Sequence, residues 1–424
     1  MNKNSYHIFY LNAIILCLLI SGCSSQQKLK NQNLAFIYQK NPFNIKESFA
    51  AYNIDDSTST LFYKISTENL LFKKTEDQTK ATAEVELNYK LYEYQNQNKV
   101  IYNGTISIDN IEKKNSAYEI NGKIDLKIPV GNSYLLEITT SDFHRNNIQK
   151  NFLKIDKTDL NSRQNFLIRN SDNKMPLLKN YLKQGQEFIL SYNNTAVKTL
   201  HVKLYQKDYA VAQVPFNTEP QQPLNVNADS TFSIDIDQNP IKLTFSKKGF
   251  YHIYADTANQ NGFTLFIYDE HFPEPQTPQE LISPLVYITS REEFYSLEKA
   301  TNQKEALDRF WLQIAENPDR AKELIRIYYN RIKESNEYFS SYLEGWKTDR
   351  GIIFTIFGFP DIVYKYQNSE IWIYGEENNL MSLNFSFFKL ENPFTDNDFS
   401  LDRSPIYRNN WNQAVDVWRQ GRVY

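Results

Sequence analysis

The sequence predicts a multidomain protein with two all-β, Ig-like sandwich domains followed by an α+β domain. Three observations carry this reading. Ala83, Val85, Leu87, Tyr89 and Leu91 alternate with Glu84, Glu86, Asn88 and Lys90, the period-two pattern of a strand with one face in a core. The chain holds 29 Tyr and 28 Phe, residues that favour half-buried pleated surfaces. Later, Leu307, Phe310, Trp311 and Ile314 fall at helical spacing.

The N-terminus carries Lys3 and then an apolar run from Leu11 to Ile20. A membrane-spanning helix needs about 20 such residues, so this run has the length of a signal-peptide core instead. The following Ile20-Ser21-Gly22-Cys23 resembles the bacterial lipobox. The resemblance implies a signal peptide over residues 1–22, cleavage before Cys23 and lipidation, including palmitate, at that cysteine. Residues 23–33 then form a polar tether, and the membrane is the first expected partner. Cys17 and Cys23 are the two cysteines, so the mature chain is left without a free thiol or disulfide.

Residues 34–160 are expected to form the first sandwich. Ile124, Leu126 and Ile128 repeat the alternation, as do Tyr134, Leu136 and Ile138. Asn103-Gly104 between two β-prone runs is a hairpin cue. Residues 161–270 suit a second sandwich of the usual spacing, with runs such as His201–Tyr205 and Phe250–Tyr254. Pro273, Pro275, Pro278 and Pro284 mark residues 271–289 as a stiff linker. The α+β domain occupies 290–424. There Asn317-Pro318-Asp319 reads as a cap, a first-turn proline and an acid suited to the helix dipole. Ile325, Tyr328, Ile332 and Phe339 share one face of the helix that follows. Ile352–Phe357, Glu370–Tyr374 and Leu383–Phe388 read as strands.

The most distinctive string is Gly345-Trp346-Lys347-Thr348-Asp349-Arg350-Gly351, followed by Gly358-Phe359-Pro360-Asp361 and by Trp372. With Tyr328–Ile332 and Asn336–Phe339 upstream, this resembles the GWxTD-domain family of exported Bacteroidota proteins over about residues 290–424. The family is recognised by sequence and implies no particular reaction. Physically, Gly345 and Gly351 are expected to supply unusual backbone angles. Thr348 and Asp349 suit turn hydrogen bonds, and Trp346 suits an apolar anchor. Arg350 can pair with Asp349, Asp361 or Glu370. The string reads foremost as a structural corner, with a ligand or partner site as the alternative. Gly358, Pro360, Trp372 and Tyr374 are also similar, at four residues, to the small lipoprotein subunit of the outer-membrane β-barrel assembly machinery.

A net charge of −3 gives no basic field for nucleic acid. His144, His201, His252 and His271 stand in no metal-binding pattern, and neither a metal nor a cofactor is expected. Asp349, Asp361 and Glu370 offer carboxylates for a hydrolase, the third-ranked reading. Asp396-Asn397-Asp398 reads as a solvated turn. Ser57, Ser230 and Thr257 lie in short strings similar to the O-glycosylation sequon of Bacteroidota exported proteins. Trp411, Trp418 and Arg419 lie on a helix side that reads first as docked on the α+β domain; exposed anchors for a partner, to which these residue types are suited, are the sharper alternative. The expected function is a lipid-anchored, non-enzymatic scaffold or adaptor in an outer-membrane complex, with outer-membrane proteins as partners in envelope assembly or export. A glycan- or peptide-binding lipoprotein is the alternative. The absence of acidic residues just after Cys23 leans towards the periplasmic face, with the cell surface left open.

Overall fold

The structure is a computed structural model that describes residues 33–38, 44–74, 80–94, 96–145, 147–171, 175–207, 209–220, 224–366 and 368–423. The expected signal segment, Cys23 and the expected tether as far as residue 32 lie outside the described residues.

Seven strands build the first domain: β1 (Glu47–Asp55), β2 (Thr58–Ser66), β3 (Thr82–Glu93), β4 (Asn96–Glu112), β5 (Glu119–Lys127), β6 (Ser133–Asp142) and β7 (Asn147–Asp156). They form two sheets, β1-β2-β5 and β4-β3-β6-β7. The apolar phase of β3 (Ala83, Val85, Leu87, Tyr89, Leu91) lies in the core between them with Leu61, Ile124, Leu136 and Ile155. Alternation was legible here because each sheet buries one face. The hairpin expected at Asn103-Gly104 is absent, since β4 runs straight through it. Gly104 faces Tyr89 in register, and a Cβ there would lie 2.2 Å from the Tyr89 hydroxyl oxygen. The glycine thus makes room for a ring instead of turning the chain.

The second domain holds β8 (Phe166–Asn170), β9 (Tyr181–Lys183), β10 (Glu187–Tyr192), β11 (Thr199–Tyr205), β12 (Ser230–Asp235), β13 (Ile241–Thr244), β14 (Gly249–Tyr254) and β15 (Gly262–Tyr268). Its sheets, β13-β10-β8 and β12-β11-β14-β15-β9, enclose Phe188, Leu190, Val202, Ile253 and Leu265. Both domains are therefore two-sheet β-sandwiches.

The third unit is α+β. Its helices are α1 (Pro278–Ile282), α2 (Arg291–Glu298), α3 (Gln303–Ala315), α4 (Pro318–Phe339), α5 (Asp349–Phe357) and α6 (Tyr407–Arg419). Its antiparallel sheet runs β16 (Ile362–Lys365), β17 (Ser369–Tyr374), β18 (Leu383–Lys389), β19 (Phe399–Leu401) in order. Helix α4 begins as expected: Asn317 accepts from the Arg320 amide with Pro318 in the first turn.

Three further expectations are corrected. Ile352–Phe357 belongs to helix α5, whose residues Ile352, Ile353 and Phe354 are fully buried. An apolar run buried on all sides carries no period to separate helix from strand. Residues 271–289 are no linker, because Ile282, Leu285, Tyr287 and Ile288 enter the core of the third unit. Pro278 starts α1 beside a Thr277–Glu280 capping box, and the Pro273 and Pro284 carbonyls accept from Asn336 and Tyr328. Finally, Leu34, Ala35 and Tyr38 pack into the third unit, whereas the first sandwich core begins at Ile45. The chain from Leu34 to Tyr38 therefore docks on the C-terminal unit before the chain enters the first sandwich.

Candidate functional site

The string from Gly345 to Gly351 joins α4 to α5 through one 3-10 turn, Gly345–Lys347. Both glycines are dictated by close approach. A Cβ on Gly345 would lie 1.7 Å from the Ser335 carbonyl oxygen, and one on Gly351 1.8 Å from that of Gly345. Neither has a positive φ, which corrects the expected reason for them. Gly358 does, at +83°, and its carbonyl accepts from the Tyr374 hydroxyl at 2.9 Å.

Each polar residue of the corner is tied down. Thr348 caps α5, accepting from the Gly351 amide and donating to the Gly345 carbonyl. Trp346 is 4% exposed; its indole donates to Glu344 at 2.8 Å, and its amide donates to Asn336. Asp349, in the first turn of α5, accepts from Arg403 and from the Leu401 amide. Arg350 pairs instead with Glu370 at 2.9 Å. It also donates to Asn397 and lies 4.1 Å over the Phe399 ring. The upstream family residues act at the same joint, since Arg331 donates to the Thr355 and Ile356 carbonyls at the end of α5.

Glu370 is the centre of this network. One oxygen meets Arg350, and the other accepts from Tyr38 at 2.6 Å and Lys365 at 3.0 Å. Burial pushes its carboxyl up, but Lys365 and Arg350 outweigh that and hold it at about 2. Burial and the neighbouring Glu370 push the Tyr38 hydroxyl up to about 12. The Tyr38 ring packs 5.3 Å from fully buried Trp372 and 5.1 Å from Phe339. Leu34 completes the dock, donating its amide to the Val363 carbonyl. Asn33 bonds Asp361 and Val363.

The second sandwich grips the other side. The Ala212 amide donates to the Lys347 carbonyl, and Arg403 donates to the Gln213 carbonyl. Between this loop and the motif lies a cavity of about 560 Å³ lined by Tyr209, Tyr342, Lys347, Asp349 and Asp398 among others. Burial and then Asp349 raise the Asp398 carboxyl to about 6, against the pull of Arg350. A second, polar cavity of about 510 Å³, with Tyr94, Lys154, Arg163, Asn261 and Lys389 on its walls, opens where all three units meet.

Other sequence candidates divide. Trp411 and Trp418 are 4% and 1% exposed, which corrects their reading as partner anchors. Trp418 donates to the Ile356 carbonyl and lies edge-on to Tyr328, while Arg419 pairs with Glu293 at 2.6 Å. Asp396-Asn397-Asp398 is no solvated turn: Asp398 is buried, and Asn397 donates to the Tyr338 and Ser340 carbonyls. Pro360 is buried, and the Asp361 carboxylate accepts from the Gly375 amide. Ser57, Ser230 and Thr257 are exposed. Among the described residues, no group of three His, Cys, Asp or Glu could hold a metal ion. Tyr38, Lys365 and Arg403 were not singled out from the sequence. Tyr38 lies more than 300 residues from its partner, and nothing local marks it.

Residues 249–420 match the family model described as the GWxTD domain, so the match begins inside the second sandwich. No curated protein matches the chain. Among solved structures, a glycosyl hydrolase family 2 member from Bacteroides cellulosilyticus DSM 14838 aligns at 8% identity and TM-score 0.20, covering 28% of this chain and 16% of that one. The Parabacteroides merdae beta-glucuronidase aligns at 13% identity and TM-score 0.16, over 28% of this chain and 16% of its own. Red sea bream transglutaminase gives 9% and 0.20, over 55% of this chain and 32% of its own. The chain thus spans less than a third of each of these proteins, and overlaps this low bear on neither fold nor activity. What the family match identifies is a GWxTD domain, carried by this chain across residues 249–420.

Proposed function

We propose that the protein is a lipid-anchored, non-enzymatic scaffold or adaptor of an outer-membrane complex that assembles or exports envelope proteins. The supporting observation is the dock at Glu370. The chain leading back to the lipobox-like Cys23 enters the GWxTD domain through Leu34 and Tyr38. A lipid on Cys23 would therefore hold this domain directly, with the two sandwiches built onto it.

The motif's own chemistry favours a structural role. Asp349 is engaged by Arg403, Arg350 by Glu370, and Thr348 by the turn it caps. These buried pairs fix geometry and leave the motif's ionised groups committed to partners inside the fold. O-glycans on Ser57, Ser230 and Thr257 belong to the same proposal, supported by their exposure.

The test is extraction of the membrane fraction in gentle detergent, followed by purification of the intact chain and mass spectrometry of its N-terminus. An acylated Cys23 and a reproducible set of membrane proteins are expected. An unacylated monomer that turns over envelope glycans would overturn the proposal. The glycan- or peptide-binding alternative draws support from the polar cavity at the meeting of the three units. Binding of a glycan that is lost on Arg163→Ala, with no membrane partners recovered, would favour it.

A further inference from the structure

The loop from residue 375 to 382, between β17 and β18, carries two large apolar side chains with nothing over them. Leu380 is 101% exposed and Met381 89%, the two highest values for large apolar side chains among the described residues. The loop is built to keep them there. The Ser382 amide donates to the Asn379 carbonyl and its hydroxyl to the Glu376 carbonyl, while the Met381 amide donates to the Asn379 side chain. Gly375 at φ +114° and Asn378 at φ +62° supply the left-handed angles that close it. Ile406, 76% exposed, precedes Tyr407, whose hydroxyl donates to the Asn384 carbonyl just past the loop.

This loop and the N-terminal chain leave the same end of the sheet, and one residue fixes both. The Asp361 carboxylate accepts from the Gly375 amide at 2.7 Å, and the Asp361 carbonyl accepts from the Asn33 side chain at 2.9 Å. From Asn33 back to Cys23 a fully extended chain reaches at most about 35 Å. A membrane that holds Cys23 is therefore within that distance of the sheet end bearing Leu380 and Met381.

We propose that the 375–382 loop is a second membrane contact, inserting Leu380 and Met381 into the lipid surface that holds the anchor, with Ile406 at the rim. This rests on the anchoring reading above for its location. The flanking Glu376 and Glu377 set the lipid class, because they repel an anionic surface and tolerate a zwitterionic one. Burial of the apolar tip supplies the attraction, and orientation is its consequence: two contacts hold the sheet end against the bilayer, where a lone tether would let the body tumble.

The test separates this from lipidation itself. The two cysteines are Cys17 and Cys23, so the chain from residue 24 has none and Leu380→Cys gives a single labelling point. An environment-sensitive fluorophore is attached there, and the protein is held through an N-terminal histidine tag on phosphatidylcholine vesicles containing a nickel-chelating lipid. Emission should strengthen and shift to shorter wavelength on vesicle binding, and the same label at Phe143→Cys on the first sandwich should not respond. The shift should shrink when phosphatidylglycerol replaces part of the phosphatidylcholine. A label at 380 that stays as water-exposed as the label at 143 overturns the proposal. So does a response seen only after solubilised envelope proteins are added, which would assign the tip to a protein partner. Because the tag replaces the acyl chains, neither result depends on whether Cys23 is lipidated.

Discussion

Replacing Tyr38 by phenylalanine removes one hydroxyl and leaves the ring on Trp372 and Phe339. The lost bond is a 2.6 Å donation to a buried carboxylate, a class that contributes about 1.5–3 kcal/mol. Lys365 still reaches the same Glu370 oxygen at 3.0 Å, so the lower part of that range applies, about 2 kcal/mol. For a unit of this size that is a drop in melting temperature of roughly 4–8 °C. The assay is unusually selective. All five tryptophans lie between Trp311 and Trp418, so indole fluorescence reports the GWxTD domain alone. Combining Tyr38→Phe with Glu370→Gln should give a smaller loss than the sum of the single variants, since each removes the same bond. Strict additivity, or an unmoved fluorescence transition in Tyr38→Phe, would refute the dock.

Other expectations follow from the same contacts. Trp346→Ala should destabilise the fluorescence-monitored transition by about 3–5 kcal/mol, as buried Trp truncations do; an unchanged transition with lost partners would make Trp346 a contact residue instead. Trp418→Ala should cost a similar amount, about 3–5 kcal/mol, whereas an exposed anchor would cost nothing measurable in stability. Acid stability should show two opposed arms. Glu370 falls from its ordinary 4.5 to about 2 in the fold, so its contribution is present above 4.5 and lost as pH drops towards 2. Asp398 rises from 3.8 to about 6, so the folded state holds an extra proton in that window and stability declines as pH climbs through it. Denaturant titrations from pH 2 to 7 should peak between the arms, and Asp398→Asn should reduce the upper decline, to which buried Glu47, raised from 4.5 to about 8, also contributes. A fragment of residues 285–424 lacks Leu34, Tyr38 and Ile282, all buried in the domain core. It should give a broad, non-cooperative transition by calorimetry, against the sharp one of the full chain.

The parts of the fold that were legible in the sequence are those where one face meets water. The Val85–Leu91 alternation and the apolar stripe of α4 both come from half-buried elements, whose period survives in the residue order. Helix α5 did not, because Ile352, Ile353 and Phe354 are buried on every side. Its signal lay in the motif, where Thr348 is the N-cap and Asp349 the first-turn acid, a helix start whose residue types suit a turn equally well. The Asn103-Gly104 cue failed for a tertiary reason, the ring of Tyr89 lying over the glycine. The prolines of 271–289 begin a helix and pack, roles that composition cannot tell from a spacer. At the corner itself, the Arg350–Glu370 pair was one of three pairings open to the sequence. Burial and the Lys365 and Tyr38 contacts select it. The docking of Tyr38 left no local trace, since its partners lie on α4, β16 and β17, about 300 residues away.

The central claim is that the GWxTD motif builds a corner for a scaffold and performs no chemistry of its own. It is tested most directly by neutralising its most reactive-looking pair. In Asp349→Asn with Arg403→Gln, both charges of the buried ion pair are removed, and the shorter glutamine also gives up the guanidinium donations to residue 349 and to the Gln213 carbonyl. Indole fluorescence reports whether the domain remains folded, and quantitative co-purification from detergent extracts reports its envelope partners. A folded double variant should recover the same partners at the wild-type yield. A folded double variant that loses them, or a wild-type turnover on envelope glycans that this variant abolishes, would contradict the account.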